Sequence, residues 1–456
     1  MKTLLILFTS LFIKVELNAQ CWKEIATENA FSAAIKTDST LWTWGINTYG
    51  QLGNGTTANK TIPTLVDNNK NWGSIALGNE FMLGIKTDGT LWAWGRNDHG
   101  NLGLGTYTST SIPIQVGTDT NWKKISVGYY HCLALKTDGT LWAWGLGWSG
   151  QLGNGTFNST VDQPLQIGNE TDWKDISAGR YHSMALKMDN TLWTWGENGN
   201  RQLGDGTAVW KNIPTKIGND TDWQTINAGY DHSLALKLDK SLWAWGDNSS
   251  GKLGNSAPLF EIIPTQIGTD NDWLTISGGN SCTMAIKEDS TLWGWGGNGF
   301  GELGNGMSVN TYIPTQIGVE KNWMKISPGY YTTLSIKFDN SLWASGLNNY
   351  GQIGDGTTID KDILTYINCD VVGINELINH DNIFSIFPNP SNQTLNYTNT
   401  TNQIIDRITI IDITGKVLLE QKNINSKIDI YFLESGIYLL KILSEDKEYS
   451  IKFIKL

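Results

Sequence analysis

Positive charge is in short supply: 33 Lys and Arg stand against 44 Asp and Glu, for a formal net charge of −11. A nucleic-acid or anionic-membrane partner requires clustered Lys and Arg to displace counterions. No basic stripe occurs, so neither partner is expected. Long apolar runs are also missing beyond the N-terminus, which argues against a membrane span. Cysteine is confined to four positions with no Cys-x-x-Cys pair, and there is no His-Glu-x-x-His segment, no Ser-His-Asp signature and no glycine loop leading into a helix. These absences remove the common metal, nucleophilic and phosphate-binding chemistries. No catalytic residue, metal or cofactor is expected, and the chain reads as not an enzyme.

Tryptophan, by contrast, is abundant at 22 residues and glycine at 50, a mix that suggests tight turns around aromatic-packed strands. At the N-terminus, Lys2 precedes an apolar run from Leu4 to Ile13, and Ala19 offers a small residue for cleavage. Residues 1–19 therefore read as an export signal peptide too short to span a bilayer. Gln20, ahead of Cys21, is not the small residue that a lipoprotein signal calls for.

An apolar-Trp-x-Trp-Gly segment recurs with its first tryptophan at Trp42, Trp92, Trp142, Trp193, Trp243, Trp293 and Trp343. A second tryptophan opens each unit at Trp22, Trp72, Trp122, Trp173, Trp223, Trp273 and Trp323. The unit starting at Trp122 shows three short alternating runs, the second ending at Lys136 and the third beginning at Leu141, before a glycine-dense turn and a last strand around Pro164 to Ile167. Asp138-Gly139, between the second and third runs, reads as a two-residue type I′ hairpin turn. Four strands repeated seven times predict an all-β, seven-bladed β-propeller over residues 20–369, since no unit of this size buries its own faces. The Leu-Trp pairs are expected to supply much of the core between blades.

The repeated His-x-x-Ala-Leu-Lys-x-Asp-Gly-x-Leu-Trp-x-Trp-Gly, best seen from His131 to Gly145, resembles the repeat of the regulator of chromosome condensation family. The resemblance runs from Trp22 to Ile367 and implies a seven-bladed propeller. Kelch propellers share a period near fifty, but their paired glycines do not recur here.

The first unit has no Pro-x-x-Ile strand ahead of Trp22, while the seventh ends with one, Ile363 to Ile367, which is expected to complete blade 1. Cys21 lies next to Trp22, and Cys369 falls where the linker to an eighth unit would run. A Cys21–Cys369 disulfide is therefore expected to stand in for the missing linker, as an exported protein permits. Cys132 and Cys282 read as buried free thiols.

After Asp370 tryptophan disappears, residues 370–383 read as a linker, and alternating strands follow over 384–456, enough for a small C-terminal β-sandwich. Pro388-Asn389-Pro390, Asp412-x-x-Gly415-Lys416, Gly436-x-Tyr438 and a lysine-bearing final strand resemble the sorting domain of the type IX secretion system of Bacteroidetes. The resemblance implies the type IX machinery as a partner, passage through the periplasm and release or surface attachment.

His131, His182 and His232 share one offset, where other units carry Phe31, Phe81, Cys282 and Thr332, so they read as packed histidines. The two positions before that offset vary: Tyr129-Tyr130, Arg180-Tyr181, Tyr230-Asp231 and Tyr330-Tyr331 are the aromatic-rich pairs, and six of the seven pairs follow a glycine. A turn at one end of each blade arrays the pairs on a single face, and Tyr and Arg make good contact anchors. Tyr129, Tyr130, Arg180, Tyr181, Tyr230, Tyr330 and Tyr331 are thus candidate binding residues for a protein or glycan ligand. Filling the rim of the central channel is the other reading of the tyrosines, and a carbohydrate-active enzyme on a propeller is the competing functional class.

Overall fold

A computed structural model describes residues 21–256 and 259–369, together with 384–387, 391–399, 405–412, 416–422, 427–444 and 447–455. The segments expected to be a signal peptide (1–19) and a linker (370–383), and the Pro-Asn-Pro segment, lie outside the described residues. Contacts divide the chain into two units, Met1–Cys369 and Asp370–Leu456.

The described residues of the first unit form seven four-stranded antiparallel sheets, each pairing its strands in chain order. Blade 1 holds Trp22–Glu28, Phe31–Lys36, Leu41–Gly45 and Lys60–Leu65, and blade 7 holds Trp323–Pro328, Thr332–Lys337, Leu342–Gly346 and Lys361–Ile367. The last strand does not complete blade 1. It pairs with the third strand of its own blade, Leu342 opposite Ile367 and Trp343 opposite Tyr366, because blade 1 already has its own fourth strand and leaves no vacancy.

The ring closes in other ways. Cys21 and Cys369 form the disulfide, with Cα atoms 5.9 Å apart. The Trp22 amide donates to the Asn340 carbonyl (3.1 Å), the bond that Trp122 makes to Gly89 and Trp173 to Gly139 at internal junctions. Core side chains fall into seven clusters, each shared by two neighbouring blades, and the seventh joins Trp22, Ile25 and Trp44 to Leu334, Leu342 and Ile367. Burial thus occurs between blades, as modules that cannot cover themselves require.

Repeated polar contacts fix the register of these clusters. The second tryptophan of each motif is fully buried and donates its indole N–H to a loop carbonyl of the preceding blade: Trp44 to Gln352 (2.8 Å), Trp94 to Gln51 (3.0 Å), Trp144 to Asn101 (3.0 Å). Ser345, which replaces this tryptophan in blade 7, still donates to Glu302 O (3.2 Å). Of each Leu-Trp pair the leucine is fully buried and the first tryptophan, on the other face of the strand, is half-buried against the edge of a cluster. Its indole N–H is held by a turn hydroxyl, Trp92 donating to Thr90 Oγ1 (2.9 Å), and that hydroxyl donates to Asp88 (2.6 Å). The Thr90 bonds hold the Asp88 carboxyl below its usual range, and Thr140, Thr191 and Ser241 act likewise on Asp138, Asp189 and Asp239.

The lysine ending each second strand lies between two tryptophans. Lys136 Nζ is 4.6 Å from the Trp122 ring centre and 3.8 Å from that of Trp142, and it pairs with Asp119 at 2.7 Å. This sevenfold cation–π clamp was visible in the motif as an invariant Lys but carried no reading there.

The hairpin turns also differ from expectation. Gly89 N donates to Lys86 O, and Lys86 N to Thr90 O, which is a three-residue loop built on a type I turn with a left-handed residue in third place. Only that residue has positive φ, Gly89 at 78° and Asn190 at 60°. One position is therefore demanding instead of two, which explains why Ser39, Lys240 and Ser290 are accepted there. Each blade's fourth strand is an outer edge, and Pro63, Pro113, Pro164, Pro214, Pro264 and Pro314 withhold an amide from any strand that would add to it.

In the second unit, Phe384–Phe387, Thr394–Asn399 and Lys427–Asp429 form one sheet. Val417–Gln421, Ile405–Asp412, Gly436–Ser444 and Lys447–Lys455 form the other. Leu395 and Ile428 of the first pack with Ile408, Ile410, Leu440 and Phe453 of the second, the expected small sandwich. Tyr438 lies against Phe453 and donates its hydroxyl to Glu434 O (2.8 Å).

Candidate functional site

Antiparallel meanders put the turns between first and second strands of all blades on one face, with the loops that follow the third strands. In blade 3 this turn is Gly128-Tyr129-Tyr130, closed by Gly128 N donating to His131 O (2.9 Å). Gly128 has no alternative there, since a Cβ would overlap the Gly179 carbonyl of the next blade and the His131 ring. Backbone bonds then run from blade to blade around the channel: Asn79 N to Tyr129 O, Tyr129 N to Arg180 O, Arg180 N to Tyr230 O, Tyr230 N to Gly279 O and Asn280 N to Gly329 O, all 3.0–3.2 Å. The variable pairs are therefore carried on a rigid collar.

All seven candidate residues meet in one half-buried cluster. Tyr129 lies 4.6 Å from Tyr130, 6.0 Å from Tyr181 and 5.8 Å from Tyr230, ring centre to ring centre. Tyr230 continues to Tyr330 (5.6 Å) and Tyr330 to Tyr331 (4.4 Å). The Arg180 guanidinium sits over Tyr230 (4.7 Å) and Tyr181 (4.9 Å) and leans to Asp231 (3.9 Å). Burial pushes the Tyr129 phenol up to about 12 and raises that of Tyr230, so both are neutral hydrogen-bonding groups at physiological pH.

The third-strand loops extend the cluster outward with residues that sequence reasoning missed. His99 stacks 4.5 Å from Tyr130 and 6.1 Å from Trp148, Arg96 caps Tyr49 and Tyr130, and Phe300 packs 4.6 Å from Tyr331. Trp148 is 56% exposed. Their signal was present as the variable positions inside Gly-x-Asn-x-x-Gly, which were read only as a turn. Glu28 was missed too: it occupies the place of the glycine that precedes the pair in the other blades, and its side chain enters the channel.

The histidines stand behind this surface. His131, His182 and His232 are fully buried, with Nε2 3.0 Å from Ser183 Oγ, 3.0 Å from Ser233 Oγ and 3.1 Å from Thr283 Oγ1. Those hydroxyls give their protons to carbonyls of Gln151, Gln202 and Lys252. Each histidine must therefore donate from Nε2, leaving Nδ1 unprotonated and without a partner. Burial lowers His131 and His182 to about 3. Among the described residues no group of three or more His, Cys, Asp or Glu is placed to hold a metal.

Six segments, 38–85, 88–135, 138–186, 189–236, 239–286 and 289–336, match the regulator of chromosome condensation (RCC1) repeat, more than half of the chain. The chain belongs to the RCC1-repeat family. Each matched segment takes the third and fourth strands of one blade and the first two of the next. A seventh in that phase needs blade 7 joined to blade 1, the seam that the disulfide spans. Residues 385–456 match the secretion system C-terminal sorting domain, which indicates export to the medium or the cell surface.

Solved structures agree on the fold. Prp20p from Saccharomyces cerevisiae is 24% identical with a TM-score of 0.61, the match covering 68% of this chain and 81% of that one. Human WBSCR16 is 19% identical with a TM-score of 0.65, covering 72% and 94%. Yeast RCC1 (Prp20) bound to Kap60 is 19% identical with a TM-score of 0.65, covering 77% and 86%. No curated protein matches the chain.

Proposed function

We propose that this RCC1-repeat propeller is an exported, noncatalytic scaffold that binds a protein partner through the tyrosine–arginine collar. The observation that carries this reading is the continuous aromatic cluster from Tyr130 to Tyr331, held by backbone bonds between blades and flanked by exposed Trp148. Large, pre-ordered Tyr, Arg and Trp side chains lose little entropy on binding and dominate interface energies. Cleavage after residue 19, a linker over 370–383 and carriage by the type IX machinery through 384–456 complete the proposal.

The test is site-specific photocrosslinking on the secreted protein, with p-benzoylphenylalanine at Tyr181 or at Ser290 in a hairpin of the opposite face. One partner is expected to crosslink from Tyr181 and not from Ser290, and less of it when Tyr129 and Tyr330 are both alanine. Equal crosslinking from both faces would remove the proposal.

A further inference from the structure

Six blades carry glycine at the innermost position, Gly78, Gly128, Gly179, Gly229, Gly279 and Gly329, because a neighbouring backbone or ring crowds each of them. Blade 1 carries Glu28. Its side chain borders a cavity of about 40 Å³ whose other walls include Tyr129, Arg180, Tyr230 and Asn280. That volume holds two or three water-sized groups.

Among the described residues Glu28 makes no ion pair, and what its carboxylate receives is a hydrogen bond from the Asn29 backbone. Glu28 is part-buried where it lines the cavity, and desolvation of its carboxyl pushes it up to about 7 against the opposing pull of the Asn29 backbone. The guanidinium that lines the same cavity, Arg180, lies over Tyr181 and Tyr230 and has Asp231 and Glu197 as its acidic neighbours, although its Nε is left without a hydrogen-bond partner. A carboxylate enclosed without a counter-ion is an expensive arrangement, and tyrosine rings around the mouth favour a cation through their faces. The narrow cavity suits a compact ammonium on a thin alkyl stem better than a planar guanidinium.

Building on the protein-binding reading above, we propose that the channel mouth is a subsite for a primary ammonium group, the tip of a lysine side chain of the partner, with Glu28 as its counter-ion. Asn280 and the tyrosine hydroxyls are further acceptors for its three N–H donors.

The probes are Nα-acetyl-lysine methylamide, n-butylammonium and Nα-acetyl-arginine methylamide, titrated into the secreted protein by saturation-transfer NMR. Both amines are expected to bind saturably, with the arginine amide weaker. Glu28→Gln and Glu28→Gly should each weaken the amines at least tenfold. Glycine is the residue that six other blades carry here, so Glu28→Gly keeps the fold, and an unchanged melting curve checks this. Absence of amine binding to the wild type, equal binding to Glu28→Gln, or preference for the arginine amide would each overturn the subsite. Partner crosslinking from Tyr181 is followed in parallel. If it persists in Glu28→Gln with no loss of yield, the lysine subsite is wrong while the collar stands; if no partner crosslinks from Tyr181 at all, the protein-binding reading itself has failed.

Discussion

Replacing both Cys21 and Cys369 with alanine is the sharpest perturbation of the ring. The bridge joins positions 348 residues apart, and the chain-entropy model assigns closure of so long a loop about 6 kcal/mol at 25 °C. The seam keeps its other bonds, Trp22 to Asn340, Ser32 Oγ to Gln352 O and Trp44 to Gln352 O, so the double variant should fold but unfold at a lower denaturant concentration. The loss should also be local. Opening the seam leaves blades 1 and 7 with one neighbour each, and in a nearest-neighbour array such terminal modules fray first. Guanidinium melts give the global effect, and hydrogen exchange read by mass spectrometry gives its location. Amides of Trp22–Glu28 and Leu342–Gly346 should lose protection before those of blade 4, His182–Lys187. An unchanged unfolding midpoint, or protection lost evenly around the ring, would refute this account of closure.

Acid should destabilise the propeller through its histidines. Unfolded histidine takes up a proton below about 6.5, whereas His131 and His182 stay neutral to about 3, so stability falls with pH across that window by about 1.4 kcal/mol per unit for each. At pH 5 the pair should remove about 4 kcal/mol, and a His131→Phe, His182→Phe variant, mimicking Phe31 and Phe81, should show a flatter fall in thermal melts between pH 7 and 5; parallel slopes would contradict this. Ser345→Trp restores the consensus tryptophan, but Leu364 has filled the space beside Gly304 where other blades place proline. The single change should cost about 1–3 kcal/mol by overpacking, and adding Leu364→Pro should recover most of it in a double-mutant cycle; additive costs would refute the coupling. Gly89→Ala forces a side chain to φ 78° and against the Thr120 carbonyl, so a loss of at least about 2 kcal/mol is expected, and a neutral result would show the turn to be pliable.

Blade count, strand order and the bridging cysteines were legible because a fifty-residue period repeats the same tryptophans, and because Cys21 and Cys369 flank the one junction lacking a linker. The fate of the strand at Ile363–Ile367 was misread: the lack of a strand ahead of Trp22 was taken as a vacancy in blade 1, but that blade takes Lys60–Leu65 as its fourth strand and the Trp343–Tyr366 pairing keeps Lys361–Ile367 in blade 7. Turn type was misread because Asp-Gly fits both a type I′ turn and a type I turn with a left-handed third residue, and Lys240 in that third place was the clue to the second. The collar was legible as variable pairs on a fixed offset. Its outer ring, from Arg96 to Phe300, was hidden because only the closed ring shows that the third-strand loop of one blade meets the variable pair of the next, as His99 meets Tyr130 and Phe300 meets Tyr331. Glu28 was in plain view as the exception to a glycine rule, but only a closed channel shows that the exception faces inward toward Tyr230.

The most direct test of the central claim is the affinity of the crosslinked partner for three forms of the secreted propeller: wild type, a collar variant with Tyr129, Arg180 and Tyr330 changed to alanine, and a rim variant with Trp210, exposed outside the repeat pattern, changed to alanine. The collar variant is expected to bind at least a hundredfold more weakly, as loss of central aromatic and arginine anchors does, and the rim variant to match wild type. Undiminished binding by the collar variant, with loss in the rim variant, would place the interface elsewhere and contradict the account.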